Sequence, residues 1–105
     1  MVLGELMFVP LERLLNLEEG YRQRFLVRGV PVVLVVAHGK HILFEDRCPH
    51  QGASLFQGAI TPDLVRCPKH GFEFDLHTGR AVNAHCTGLR LLDPAYEQDR
   101  IGVDV

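Results

Sequence analysis

From residue 21 onward the chain alternates short apolar runs with turn-forming residues. Tyr21 to Arg28 alternates in part, and Val30 to Ala37 is a Val-rich run that favours extended backbone. Gly29 between them fits a tight turn, and His38-Gly39-Lys40 fits a second. His41 to Asp46 then reads as the third strand of an antiparallel meander. Upstream, Met7 to Pro10 reads as a short strand. The leucines at 11, 14, 15 and 17 predict one or two helical turns over Leu11 to Glu19, ending at Gly20.

The middle of the chain has a different texture. Cys48 to Phe56 and Cys67 to Gly71 are loop-like and rich in Gly and Pro. Ala59 to Thr61 and Leu64 to Arg66 predict a short hairpin across Pro62-Asp63. Phe72, Phe74 and Leu76 alternate with Glu73 and Asp75, which predicts a strand closed by His77-Thr78-Gly79. Leu89 to Leu92 and Arg100 to Val105 supply final strands. The expected fold is all-β, a small antiparallel sandwich or barrel with a two-loop subdomain at about residues 44–80.

Composition narrows the classes. A chain of 105 residues suits one domain, 1–105, with a modest core. The formal net charge of −2 argues against a nucleic-acid binder, which would carry a clear basic excess. Met1 to Leu6 contains Glu5 and no Lys or Arg, which does not read as a secretory signal. The longest apolar stretch, Gly29 to Ala37, contains Pro31 and falls far short of the ~20 residues that span a bilayer. The expectation is a cytoplasmic protein without a membrane segment. Three cysteines, an odd number, do not suggest a disulfide framework.

Cysteine and histidine placement adds the chemistry. Cys48-Pro49-His50 and Cys67-Pro68-Lys69-His70 form two pairs with sixteen residues between them. Each loop is followed by glycine, Gly52 or Gly71, which lets the backbone turn close to a metal. Pro49 and Pro68 stiffen the loops. Thiolate with imidazole suits zinc or iron, not calcium or magnesium. A Cys₂His₂ zinc site is the plain structural alternative. Zinc fingers, however, separate paired ligands by two to four residues, and Cys48 and His50 have only one between them.

The segments Cys48-Pro49-His50-Gln51-Gly52-Ala53 and Cys67-Pro68-Lys69-His70-Gly71 resemble the C-x-H and C-x-x-H cluster loops of Rieske proteins. The run from Phe72 to Gly79, FEFDLHTG, is similar to the strand and turn that follow in Rieske ferredoxins. The resemblance implies one [2Fe–2S] cluster per chain, with Cys48 and Cys67 on one iron and His50 and His70 on the other. It also implies proton-coupled reduction at alkaline pH, because reduction places negative charge beside the imidazoles.

Departures from the family pattern set the subtype. Respiratory Rieske proteins carry an extra cysteine in each loop; here those positions are Ala53 and Lys69, so no bridge forms between them. Phe72 and Phe74 stand where those proteins have Ser and Tyr hydroxyls bonded to sulfur. Fewer such bonds imply a potential near the low end of the Rieske range. The Pro-rich covering loop of the family is replaced by Arg80 to Gly88, which has no proline.

Other residues get more ordinary readings. Cys86 is expected as a small, partly buried apolar side chain, not a further ligand beside His85. His38, His41 and His77 are expected in solvent. Phe72 and Phe74 default to core packing, while Leu55 and Phe56 are either core or an apolar rim. Arg47, Arg66 and Lys69 offer a basic rim for an acidic partner or merely solvate the surface.

The resemblance implies a monomeric one-electron carrier that takes electrons from a flavin reductase and passes them to an oxygenase or another redox enzyme. At 105 residues the chain is not expected to hold the mononuclear-iron domain of an oxygenase as well. A small subunit of a larger reductase, as in nitrite reductases, is one alternative. A zinc-stabilised interaction module is the other.

Overall fold

The computed structural model describes residues 7–50 and 52–105; Met1 to Leu6, read above for a targeting segment, and Gln51 lie outside them. Ten strands are described: β1 (Phe8–Arg13), β2 (Arg22–Val27), β3 (Val30–Ala37), β4 (Lys40–Glu45), β5 (Ala59–Ile60), β6 (Leu64–Arg66), β7 (Glu73–Asp75), β8 (Leu91–Leu92), β9 (Ala95–Glu97) and β10 (Arg100–Asp104). They form three antiparallel sheets with orders β1-β10-β9, β2-β3-β4-β8 and β5-β6-β7. The all-β expectation is borne out. Among the described residues no helix is long and apolar enough to cross a membrane.

The meander forms because its turns suit its twist. Arg28 and Gly29 both have positive φ, as do His38 and Gly39, the pattern that two-residue antiparallel turns require. Strand β3 does not alternate in sequence, since Val32 to Ala37 are all buried. Val32 and Leu34 pack with Leu43, Ile101 and Val103 in one core, whereas Val33, Val35 and Ala37 pack with Ile42 and Phe44 in another. The central sheet is therefore buried on both faces, and such a strand reads as a continuous apolar run.

The second core reaches the two Cys-Pro loops. It contains Cys48, Leu55, Val65, Cys67, Phe74, Leu76 and Leu89 beside the residues from β3 and β4. The third sheet and both loops thus dock on one face of the central sheet, and the other face meets β1 and β10.

Two expectations need correction. Leu11 to Arg13 are extended in β1, paired with β10 through a bulge between Pro10 and Glu12, and only Leu14–Asn16 makes a single 3₁₀ turn. The leucine spacing mimicked a helix, but pairing with a strand nearly ninety residues away prevailed over local propensity. Strand β9 was not foreseen, and only Leu91–Leu92 of the expected Leu89 to Leu92 strand is extended.

Candidate metal centre

The two Cys-Pro loops are built on one hydrogen-bond scheme. The Cys48 amide donates to the Ala53 carbonyl at 2.8 Å, and the Cys67 amide donates to the Phe72 carbonyl at 2.8 Å. In return, the Gly52 amide donates to the Cys48 carbonyl at 2.7 Å, and the Gly71 amide donates to the Cys67 carbonyl at 3.1 Å. Gly52 and Gly71 close the loops at φ +75° and +71°, where a side chain would be strained. Each loop is thus a rigid turn that fixes the direction of its cysteine.

The loops set cysteines inside and histidines outside. Cys48 and Cys67 are almost fully buried in the same core, while His50 and His70 are exposed. The two imidazoles lie edge to face, their ring centroids 5.8 Å apart. Phe72 sits beside both, 4.2 Å from His50 and 6.5 Å from His70 by centroid. No disulfide joins Cys48, Cys67 or Cys86.

Supporting residues brace each loop. Asp46, buried just before Cys48, accepts Ser54 Oγ at 2.7 Å and the Phe56 amide at 2.8 Å, so it clamps the exit of the first loop. Asn83 Nδ2 donates to the Gly71 carbonyl at 3.0 Å, and Asn83 Oδ1 accepts the Glu73 amide at 2.9 Å. The proline-free segment therefore straps the second loop through one asparagine side chain. Neither Asp46 nor Asn83 stood out in the sequence, because their partners are set by the fold.

Arg47 and Arg66 fold back on their own loops. A Cβ on Gly52 would lie 3.6 Å from Arg47 Nε, and one on Gly71 would lie 2.8 Å from Arg66 Nη2. The signal for this pairing is the repeated Arg-Cys-Pro-x-x-Gly at 47–52 and 66–71.

The remaining readings divide. Phe74 and Leu55 are wholly core, Phe56 and Phe72 pack against that core as expected, and Phe72 also lies beside His50. Cys86 is half-buried against the same core, as expected, and His85 is exposed. His38, His41 and His77 are not simply solvated. His41 Nδ1 contacts Tyr96 Oη at 2.8 Å, His38 Nε2 contacts Asp63 at 2.9 Å, and His77 Nε2 contacts the Pro62 carbonyl at 3.0 Å.

Two buried thiols and two adjacent exposed imidazoles, on two braced loops, fit a mixed sulfur–nitrogen metal group with one apolar side and one solvent side. Residues 7–92 match the family described as the Rieske [2Fe-2S] domain. The chain is 42% identical over 61 residues to ferredoxin CarAc of Metapseudomonas resinovorans, covering 58% of this chain and 57% of that protein. It is 29% identical over 91 residues to the ferredoxin component of biphenyl 2,3-dioxygenase of Rhodococcus jostii (strain RHA1), covering 86% of this chain and 85% of the relative. The ferredoxin of carbazole 1,9a-dioxygenase from Nocardioides aromaticivorans IC177 superposes with a TM-score of 0.76 at 26% identity, covering 91% of this chain and 95% of that one. Among the curated relatives, the match spans 11% of the length of some and 57% of CarAc.

Proposed function

This chain belongs to the Rieske [2Fe–2S] domain family, and on that premise we propose that it is a one-electron carrier. Cys48 and Cys67 hold one iron of its cluster, and His50 and His70 hold the other. The observation that carries this reading is the split between the pairs: both cysteines are buried in one core and both histidines open to solvent. Thiolates belong on the shielded side, where they offset the charge of the metal. Neutral imidazoles add no charge, so the site is easier to reduce than a four-thiolate one.

When bound, the cluster takes up and returns a single electron. The chain's own residues supply the setting. His50 and His70 are both exposed, so a partner's redox group can approach them. Phe72 packs against the His50 ring and limits its rotation. Asp46 and Asn83 hold the loops still, so little backbone reorganises when the charge changes.

CarAc and the biphenyl dioxygenase component are both named as ferredoxins, the second of an oxygenase system. The second name supports an oxygenase as electron acceptor for this chain; a flavin reductase as donor and a cytoplasmic, monomeric state complete the proposal. No observation favours the small-subunit reading over the carrier. The zinc module loses ground to the family match.

The test is anaerobic. The cluster-loaded protein is titrated electrochemically, then the reduced form is mixed in stopped flow with a higher-potential acceptor such as cytochrome c. Reversible uptake of one electron per chain and second-order reduction of the acceptor are expected. Substrate oxidation by this chain alone, or no electron passed on, would overturn the proposal.

A further inference from the structure

Away from the Cys-Pro loops, three turns from different elements converge on one patch. His38 lies in the turn between β3 and β4, Asp63 in the turn between β5 and β6, and His77 in the turn after β7. One ring nitrogen from each histidine and one Asp63 carboxylate oxygen all lie within 4.8 Å of one another. His38 Nε2 is 2.9 Å from Asp63 Oδ1, and the two imidazole centroids are 5.7 Å apart at 38°.

Each turn is anchored independently. The Glu19 carboxylate accepts the amides of His38 and Gly39 at 2.8 and 3.0 Å. Thr61 Oγ1 accepts the amides of Asp63 and Leu64 at 3.3 and 3.1 Å. Asp75 Oδ1 accepts the His77 amide at 2.7 Å. The three side chains therefore start from fixed backbones, and a ligand would have little left to order.

A cation would displace the proton that His38 Nε2 donates to Asp63 and would find the second nitrogen of His77 available. The Pro62 carbonyl can only accept, so its contact at 3.0 Å places a proton on His77 Nε2 and leaves the lone pair on Nδ1. Metal-binding histidines commonly have their second nitrogen engaged in this way. An ion pair with Asp63 needs only one histidine. Two imidazole nitrogens within 4.8 Å of one carboxylate oxygen match a metal donor set better.

We infer that His38, Asp63 and His77 form a second metal site, taking one divalent transition ion of the zinc class with water completing its shell. Two nitrogens and one carboxylate oxygen suit zinc and copper(II); calcium and magnesium prefer all-oxygen sites. The side chains of His38 and Asp63 are 57% and 76% exposed, so an ion can enter from solvent. Its place in the fold gives the site a purpose. His38 stands on the central sheet, and Asp63 and His77 stand on the sheet that carries the second Cys-Pro loop, so a bound ion staples the two sheets.

The experiment uses the full, cluster-loaded chain, with Zn²⁺ titrated calorimetrically while visible absorption follows the cluster. One zinc per chain should bind with the absorption unchanged, and the unfolding temperature should rise with zinc. His38→Ala and His77→Ala should each weaken binding about tenfold or more. His85→Ala, which alters an exposed histidine outside the patch, should leave affinity unchanged. Copper(II) bound to the wild type should show hyperfine coupling to two nitrogens. The inference is overturned if no saturable binding occurs below millimolar zinc. It is equally overturned if the double variant His38→Ala, His77→Ala binds as tightly as the wild type, or if the copper signal lacks two nitrogens.

Discussion

Arg24 Nε lies 2.6 Å from Oδ2 of Asp46, a carboxylate whose side chain is fully buried two residues before Cys48. Burial alone would push this carboxyl up. Hydrogen bonds from Ser54, Arg24 and the amides of Phe56 and Leu55 outweigh it and hold the group below the usual carboxylate range. One side chain thus joins β2 to both ends of the first loop. Asp46→Ala should cost about 3 kcal/mol, the low end for breaking a buried pair, because the Arg24 side chain stays 40% exposed. Arg24→Ala should cost less, about 1–2 kcal/mol, since three donors to Asp46 remain. Urea unfolding of the cluster-loaded protein measures both, and equal losses would contradict the ranking.

Glycines around the second loop should differ in tolerance. A Cβ on Gly58 would sit 2.0 Å from the Arg66 carbonyl oxygen, which is backbone and cannot swing aside. A Cβ on Gly71 would meet only the tip of the Arg66 side chain, at the cost of a positive φ. Gly71→Ala should therefore destabilise by about 1–2 kcal/mol and keep the cluster. Gly58→Ala should displace β6 and lose it. Iron content after purification distinguishes the two, and a fully loaded Gly58→Ala protein would show the steric account to be wrong.

A low reduction potential is expected from Phe74. Phe74 is wholly buried in the core that holds Cys48 and Cys67, and it brings no hydroxyl to their sulfurs. The wild-type midpoint should lie at about −150 to 0 mV, the lower part of the Rieske range. Phe74→Tyr should raise it by on the order of tens of millivolts if the hydroxyl reaches sulfur. Direct electrochemistry reads both values. A wild-type midpoint well above zero would refute the link between missing hydroxyls and low potential.

Glu12 makes the acid limb of stability predictable. Asn16 Nδ2 at 3.0 Å, the Arg13 amide at 2.8 Å and Tyr21 Oη at 2.8 Å all donate to its carboxylate, and together they lower its pKa from the ordinary 4.5. A depressed carboxyl stabilises the fold above its unfolded pKa, and the contribution is lost as pH falls through the folded value. Stability should therefore decline below about pH 4.5, and Glu12→Gln should flatten that decline. Thermal unfolding from pH 3 to pH 7 tests this, and an acid limb unchanged in Glu12→Gln would exclude the residue.

Legibility in the sequence tracked the range of the interactions. The meander was readable because Gly29, Gly39 and the valine run act locally. The Cys-Pro loops were readable because each closes within six residues. Strand β1 was not, since Leu11 and Leu14 suit a helix as well as a sheet, and the deciding partner is β10 at the far end of the chain. Strand β9 has no alternation to reveal it; β10 recruits it through the turn at Gln98, where φ is +54°. The clamps of Asp46 on Arg24 and of Asn83 on Gly71 join residues 22 and 12 apart, and their residue types suit any surface.

The central claim, that Cys48 and Cys67 hold one iron and His50 and His70 the other, is tested most directly by pulsed EPR. The sample is the dithionite-reduced protein carrying ¹⁵N-labelled histidine. The arrangement of two exposed, adjacent imidazoles predicts coupling to two directly bound histidine nitrogens, one of which disappears in His50→Cys. A reduced signal with no bound histidine nitrogen, or a colourless protein holding zinc in place of iron, would contradict it.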